Sequence, residues 1–127
     1  MIAIHDPIDV RAYARLANRL LYDSVKSLQW AVSTLNRAAA TVFSLSAETP
    51  PLRMFWAQYR IHEARSRLCE EIRFLDSGML DNLCGALDID SDRAYSALQA
   101  RYASKCRKAL ELADKADQIC AEYFKKS

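Results

Sequence analysis

Between Pro7 and Pro50 the chain reads IDVRAYARLANRLLYDSVKSLQWAVSTLNRAAATVFSLSAET, and this stretch contains neither glycine nor proline. Because these two residues interrupt helices most strongly, their absence predicts one long helix, which we place at about residues 7–46. Apolar or small residues recur along it at alternating steps of four and three, the spacing of a face that packs against other helices. The members of this seam are Val10, Ala14, Ala17, Leu21, Ser24, Leu28, Ala31, Leu35, Ala38, Val42 and Leu45.

The sequence indicates one start for this helix but leaves open whether the helix is continuous or broken. Asp6 and Pro7 supply a capping residue followed by a proline at the first helical position. Asp23 and Ser24 favour caps over helix interiors, so a break near residues 22–24 is the alternative to a continuous helix of about 60 Å.

The rest of the chain predicts three further helices, which we place at about residues 50–75, 79–87 and 92–124. We expect Thr49 to cap the first of these and Asp76-Ser77-Gly78 to end it. Its expected apolar face consists of Leu52, Phe55, Trp56, Tyr59, Leu68, Ile72 and Leu75. The last helix follows a capping turn at residues 88–91 and carries a second seam, formed by Tyr95, Leu98, Tyr102, Cys106, Ala109, Ala113, Ala116, Cys120 and Phe124.

Two long helices with a third between them predict an all-α fold, an elongated antiparallel helical bundle that forms a single domain over residues 1–127. The chain has only two glycines and three prolines, fewer turn residues than a sheet-rich fold requires. Long helices of this kind have apolar surface to spare, which self-association would cover. We therefore expect a homo-oligomer, most simply a homodimer, joined through the seam of residues 10–45.

Composition excludes several classes of protein. The 127 residues include 18 lysines and arginines against 16 aspartates and glutamates, and the net charge of +2 is too small to indicate nucleic acid by itself. No apolar run reaches the roughly 20 residues of a membrane span, and residues 1–9 lack the pattern of a secretory signal. We therefore expect a cytoplasmic protein that does not act at a membrane and whose four cysteines remain reduced.

The sequence shows no arrangement that is typical of catalysis or metal binding. The four cysteines are widely spaced and form no CxxC pair. Neither His5 nor His62 has a glutamate three residues before it, as a di-iron bundle requires. We expect a protein that is not an enzyme and that uses no cofactor, no metal ion and no small-molecule substrate.

One segment, residues 81–98, has the pattern of a helix-turn-helix corner. Such a corner needs a small residue in its first helix, a leucine before the turn, a residue that tolerates positive φ and apolar residues afterwards. These roles fall to Cys84, Leu87, Asp88, Ile89, Ala94 and Leu98. Asp88 is less usual than glycine in the turn, although aspartate can adopt the left-handed conformation.

The corner and the basic residues after it favour a DNA-binding regulator. Residues 92–108 would be the recognition helix, in which Arg93 and Gln99 would reach base edges. The phosphates would be met by Arg101, Lys105 and Lys108. A second basic ladder in the first helix is either a solvated face or a stripe that binds phosphates or acidic proteins, and it consists of Arg11, Arg15 and Arg19.

The same segment resembles a motif of small helical proteins encoded by phages and prophages. That motif is aromatic-x-x-Ser, a short gap, Cys-x-x-Leu-Gly-(Leu/Ile)-Asp-Pro, and then Arg and Leu. The matching residues are Phe74-Leu75-Asp76-Ser77, Cys84-Gly85-Ala86-Leu87-Asp88-Ile89-Asp90 and Leu98, within about residues 68–98. Asp88, Ser91 and Tyr95 depart from the motif by replacing Gly, Pro and Arg, and the missing Arg counts against DNA contact. The resemblance implies an origin in a mobile element and a location in the host cytoplasm.

A second hypothesis is a helical protein-binding module, such as an inhibitor or adaptor that acts on a host protein. Residues 53–60 read RMFWAQYR, and aromatic and arginine side chains dominate the energetics of protein interfaces. The contact residues would be Arg53, Met54, Trp56 and Arg60. Alternatively Phe55, Trp56 and Tyr59 form the core, because their spacing is helical. We rank the DNA hypothesis first.

Overall fold

A computed structural model describes residues 7–76 and 78–126 of the chain, with side chains from residue 11 onward. It consists of helices α1 (Pro7–Phe43), α2 (Pro51–Asp76), α3 (Gly78–Ala86) and α4 (Ser91–Lys126), and no strand occurs among these residues. The all-α fold predicted from the sequence is therefore confirmed. The predicted cap Asp6, the seam side chain of Val10, His5 and Ser77 lie outside the described residues.

Helix α1 is continuous through the position where a break was the alternative. The Ser24 hydroxyl donates to the Leu20 carbonyl at 2.8 Å, so this serine bonds to its own helix instead of capping a new one. The helix ends at Phe43, three residues before the predicted end. Thr49 is not the cap of α2, because its Oγ1 accepts the Ser46 N–H at 3.0 Å and thereby stabilises the loop between the helices.

Contacts between the helices fix an up-down-up order. Helix α2 runs antiparallel to α4, since the Met54 and Cys120 sulfurs lie 3.9 Å apart at one end while Arg65 pairs with Asp117 further along. The Gln29 amide donates to the Tyr102 hydroxyl at 2.7 Å and Tyr123 reaches the loop after α1. Helices α1 and α4 are therefore parallel neighbours, and α2 packs against both.

One continuous core lies between the three long helices, and it is rich in alanine, which lets helices approach closely. Leu28 and Leu35 are fully enclosed by their own chain, and burying a leucine stabilises a fold by about 1.5–3 kcal/mol. The middle of this seam is therefore used inside the molecule, and the expectation of a homo-oligomer stays a prediction. The further buried members of the core are Ala31, Val32, Ala39, Val42, Met54, Ala57, Ile61, Ala64, Leu68, Leu75, Tyr102, Cys106, Ala109, Ala113, Ala116 and Cys120.

The short helix α3 turns into α4 through a tight corner. Asp88 has a φ of 56°, while the Ile89 N–H donates to the Cys84 carbonyl at 2.8 Å and the Asp88 N–H to the Gly85 carbonyl at 3.3 Å. These bonds form a Schellman motif with aspartate in the left-handed position, as predicted. The Asp90 carboxylate then caps α4 by accepting the Asp92 N–H at 3.0 Å. Ile89, the aliphatic residue after the turn, is 45% exposed.

Candidate functional site

The residues predicted to contact DNA do not share one surface. Successive helical residues are about 100° apart, so Arg101, Lys105 and Lys108 lie on the side of α4 that borders α1. Gln99 lies on the other side, where its amide donates to the Tyr95 hydroxyl at 2.7 Å beside the crevice between α2 and α4. Arg93 lies near the corner, away from both groups. All five side chains are exposed, but they face different sides of α4.

The corner itself is acidic. Asp88, Asp90 and Asp92 are all exposed around the start of α4, and Asp81 is exposed on the neighbouring helix α3. Carboxylates favour the positive end of a helix dipole but repel DNA phosphates. The corner therefore resembles a helix-turn-helix unit in its backbone and not in its charge.

A basic surface forms where α1 and α4 run side by side. The bond between Gln29 and Tyr102 fixes this contact, and Arg101 and Lys105 lie over the Tyr102 ring, with their charged groups 5.5 and 5.8 Å from its centroid. Lys26, one turn before Gln29, lies 5.5 Å over the Tyr22 ring in the same way. Cation–π contacts of this kind hold the charged groups in place while leaving them in water.

The basic surface continues along both helices. We call it the basic face and define it as Arg15, Arg19 and Lys26 of α1 with Arg101, Lys105, Lys108 and Lys115 of α4. At 1.5 Å per residue it extends over roughly 40 Å. Asp23 pairs loosely with Arg19 at 4.0 Å. Within the part of the chain that the structure describes, no ion pair involves Lys26 or the basic residues of α4 in this face.

The modest net charge thus conceals a segregated distribution. Carboxylates cluster at the corner, and between α2 and α4 Asp114 and Asp117 hold Arg65. The sequence showed both basic ladders but not their union, which depends on α1 and α4 being neighbours. Lys26 and Lys115 were missed for that reason.

Aromatic side chains cover the outward side of α2 near its start. Leu52 is 67% exposed, Phe55 and Trp56 are each 53% exposed, and Tyr59 is half exposed. The rings meet edge to face, with centroids 6.2 Å apart between Phe55 and Trp56 and 5.7 Å apart between Trp56 and Tyr59. We call these four residues, which are three aromatic residues and the adjacent Leu52, the aromatic cluster.

The aromatic cluster corrects two predictions. Its members were expected on the apolar face of α2, but the buried residues of that helix are Met54, Ala57, Ile61, Ala64, Leu68 and Leu75. Met54, predicted as a contact residue, is only 1% exposed and packs against Cys120, because it lies on the side of α2 opposite the cluster. The other predicted contact residues, Arg53, Trp56 and Arg60, are exposed.

A groove between α1 and α2 lies beside the aromatic cluster. Two adjoining cavities of about 840 and 720 Å³ share Thr41 and Arg60 as lining residues. We call them together the arginine groove. Its principal lining side chains are Trp30, Thr34, Arg37, Arg53, Trp56, Tyr59, Arg60, Glu63, Arg67 and Glu70.

The thiols and histidines form no reactive site in the described chain. Burial raises the pKa of Cys84, Cys106 and Cys120, with Asp81 and Asp90 adding to the rise at Cys84 and Asp117 adding to it at Cys120. These three groups therefore stay protonated at neutral pH. All four cysteines are free, and no group of three or more metal-binding side chains occurs within residues 11–76 and 78–126. His62 is exposed on α2.

Comparisons with protein-family models, with curated proteins and with solved structures return no match. The resemblance to phage proteins therefore stays a prediction. Among the described residues, no helix is both long enough and apolar enough to span a bilayer.

Proposed function

We propose that this protein binds duplex DNA along its phosphate backbone through the basic face. The observation that carries the proposal is the union of two basic ladders on neighbouring parallel helices, whose cations, apart from Arg19, pair with no carboxylate among the described residues. Arginine and lysine side chains that neutralise phosphates release counterions, which drives association without sequence preference.

The shape of the basic face suits a linear polyanion. Its length of roughly 40 Å is comparable with one turn of B-DNA, about 34–36 Å. Tyr102 supports Arg101 and Lys105 from below, which reduces the entropy lost when they meet phosphates. Exposed polar side chains between the cations, such as Ser33 and Asn36, are suited to donate further hydrogen bonds to phosphate oxygens.

This mode differs from the recognition predicted by the helix-turn-helix pattern. The acidic corner would place Asp90 and Asp92 against the DNA backbone, so we assign no base-reading role to Arg93 or Gln99. The face contributes electrostatic contacts that position a protein on DNA, and such contacts carry no direct sequence information. We therefore propose an accessory DNA-binding role, in which affinity depends steeply on salt.

The proposal is tested by fluorescence anisotropy of a labelled random duplex of about 20 base pairs, titrated at several salt concentrations. Replacing Arg101 and Lys105 together by Ala should lower the slope of log K against log salt by about two units, roughly 0.9 for each lost phosphate contact. Affinity at about 0.1 M salt should fall tenfold or more for the same reason.

A matched control removes the same charge from the opposite side of the bundle. Arg53 and Arg60 are exposed on α2, and the double change to Ala should leave both the affinity and the slope close to those of the parent protein. Equal losses in the two double variants would show that only net charge matters. That result, or no binding by the parent at about 50 mM salt, would refute the proposal.

A further inference from the structure

We infer that the arginine groove docks an acidic amphipathic helix of a partner protein, anchored by the neighbouring aromatic cluster. This interaction is separate from DNA binding, because the groove between α1 and α2 and the outward side of α2 lie away from the basic face. The argument rests on the shape of the groove, on its charge and on the aromatic side chains at its rim.

The groove has the dimensions of a helix-binding site. It runs along α1 from Trp30 to Thr41, which is about 17 Å at 1.5 Å per residue, and continues past the end of the helix to Leu45. The part along α1 accepts about three turns of a second helix. Small side chains line its floor, among them Ala31, Ala38 and Ala64, so a helix can approach its backbone closely.

The charge of the groove indicates which kind of partner helix would bind there. Arg53 and Arg60 line the half of the groove near the aromatic cluster, and neither of them takes part in an ion pair within the described residues. The carboxylates Glu63 and Glu70 line only the other cavity, where Arg37 and Arg67 lie as well. Arginine forms paired hydrogen bonds with carboxylates, so a helix with glutamate or aspartate along its flanks complements this surface.

Two features of the groove floor support occupation by a partner. The Thr34 hydroxyl is shielded from solvent and has no hydrogen-bond partner, which costs free energy until a polar group reaches it. Trp30 is half exposed and stacks against Arg67, whose guanidinium lies 5.8 Å from the ring centroid.

The aromatic cluster supplies the anchors. Tryptophan, tyrosine and arginine dominate the energy of protein interfaces, and Trp56, Tyr59 and Arg60 stand side by side here. Their mutual edge-to-face packing holds the rings in place before binding, which reduces the entropy lost on association. An apolar stripe on the partner helix would cover these rings while its acidic flanks meet the arginines.

The test uses a probe peptide of about sixteen residues, stapled as a helix, free of tryptophan, with leucine every third or fourth position and glutamate on its flanks. The only tryptophans of the protein are Trp30 and Trp56, and both line the groove, so their fluorescence reports its occupation directly. We expect a saturable shift of the emission to shorter wavelength. A peptide with lysine in place of each glutamate should bind at least tenfold more weakly.

Variants locate the site on the surface. Replacing Arg53 and Arg60 by Ala should weaken peptide binding at least fivefold, and Tyr59→Ala should do the same while leaving both tryptophans as reporters. Replacing Lys105 and Lys108 by Ala removes the same charge from the basic face and should leave peptide binding unchanged. Absence of a saturable shift, equal binding of the lysine peptide, or equal losses in the two double variants would each overturn the inference.

Discussion

Asp88 occupies the most demanding backbone position among the described residues. It is the one residue other than glycine among them with a positive φ, and it lies at the corner between α3 and α4. The left-handed conformation costs most L-residues about 1–2 kcal/mol, and less for aspartate, whose short polar side chain bonds locally. Glycine adopts this conformation without a steric penalty and is the usual residue at this place in a Schellman motif.

We therefore expect Asp88→Gly to raise the free energy of unfolding by about 0.5–1 kcal/mol and Asp88→Ala to lower it by about 1 kcal/mol. Urea denaturation followed by circular dichroism measures both. Asp92→Gly is the control, because Asp92 lies in the first turn of α4, where the backbone is helical and glycine should destabilise the protein instead of stabilising it. A stabilising Asp88→Ala would contradict the assigned backbone conformation.

Thr34 gives a second prediction at the level of one residue. Its hydroxyl is buried without a hydrogen-bond partner, so Thr34→Val should stabilise the free protein by about 1 kcal/mol. In Thr41 the hydroxyl donates to the Arg37 carbonyl at 3.0 Å on the surface, and Thr41→Val should change stability by less than about 0.5 kcal/mol. Chemical denaturation compares the two. Equal effects would show that the Thr34 hydroxyl is satisfied by water.

Helix α2 carries apolar residues on two opposite sides. The inner side uses Met54, Ala57, Ile61, Ala64 and Leu68, whereas the outer side bears the aromatic cluster. The sequence predicted the helix to within a residue at each end but assigned the larger aromatic residues to the core. Both sets have helical spacing, so periodicity could not separate them. The alanine-rich seams of α1 and α4 leave room for small inner residues and exclude the rings.

This assignment predicts that substitutions on the inner side of α2 destabilise the protein strongly, whereas those on the outer side have little effect. Leu68→Ala should lower the free energy of unfolding by about 2–5 kcal/mol, because Leu68 is completely buried. Leu52→Ala should change it by less than about 0.5 kcal/mol, because Leu52 is the most exposed member of the aromatic cluster. Thermal and urea denaturation measure both variants. A large loss of unfolding free energy in Leu52→Ala would contradict this assignment, because it would show that Leu52 packs against another surface in solution.

At the scale of the whole molecule, the order of the helices determines which surfaces exist. The seams, the four helices and the capped corner followed from residue spacing. The basic face did not, because it requires α1 and α4 to be parallel neighbours, which the bond between Gln29 and Tyr102 shows. Spacing along one helix gives no information about which other helix borders it, so the predicted DNA residues fell on different sides of α4.

Because the seam of α1 is enclosed within one chain, we expect a charge placed in it to unfold the protein. Leu35 is completely buried within one chain, so Leu35→Asp places a charge in the core at a cost of several kcal/mol and should unfold the protein. Leu16 is 55% exposed, and Leu16→Asp should stay folded. Far-ultraviolet circular dichroism distinguishes the two. A folded monomer of Leu35→Asp obtained from a parent dimer would instead show the seam to be an interface between copies.

Because the basic face and the arginine groove lie on different sides of the bundle, both can be occupied at once. A helix is about 10 Å across and the Debye length at physiological salt is about 8 Å, so an acidic peptide in the groove is largely screened from DNA on the basic face. We expect the anisotropy of labelled DNA bound to the protein to rise further when the acidic peptide is added, with the DNA dissociation constant changing by less than about twofold. The variant with Arg53 and Arg60 replaced by Ala should bind DNA normally and lose the additional rise. If the peptide instead displaces DNA from the parent protein, the two polyanions compete for one surface, and the groove does not form a separate docking site.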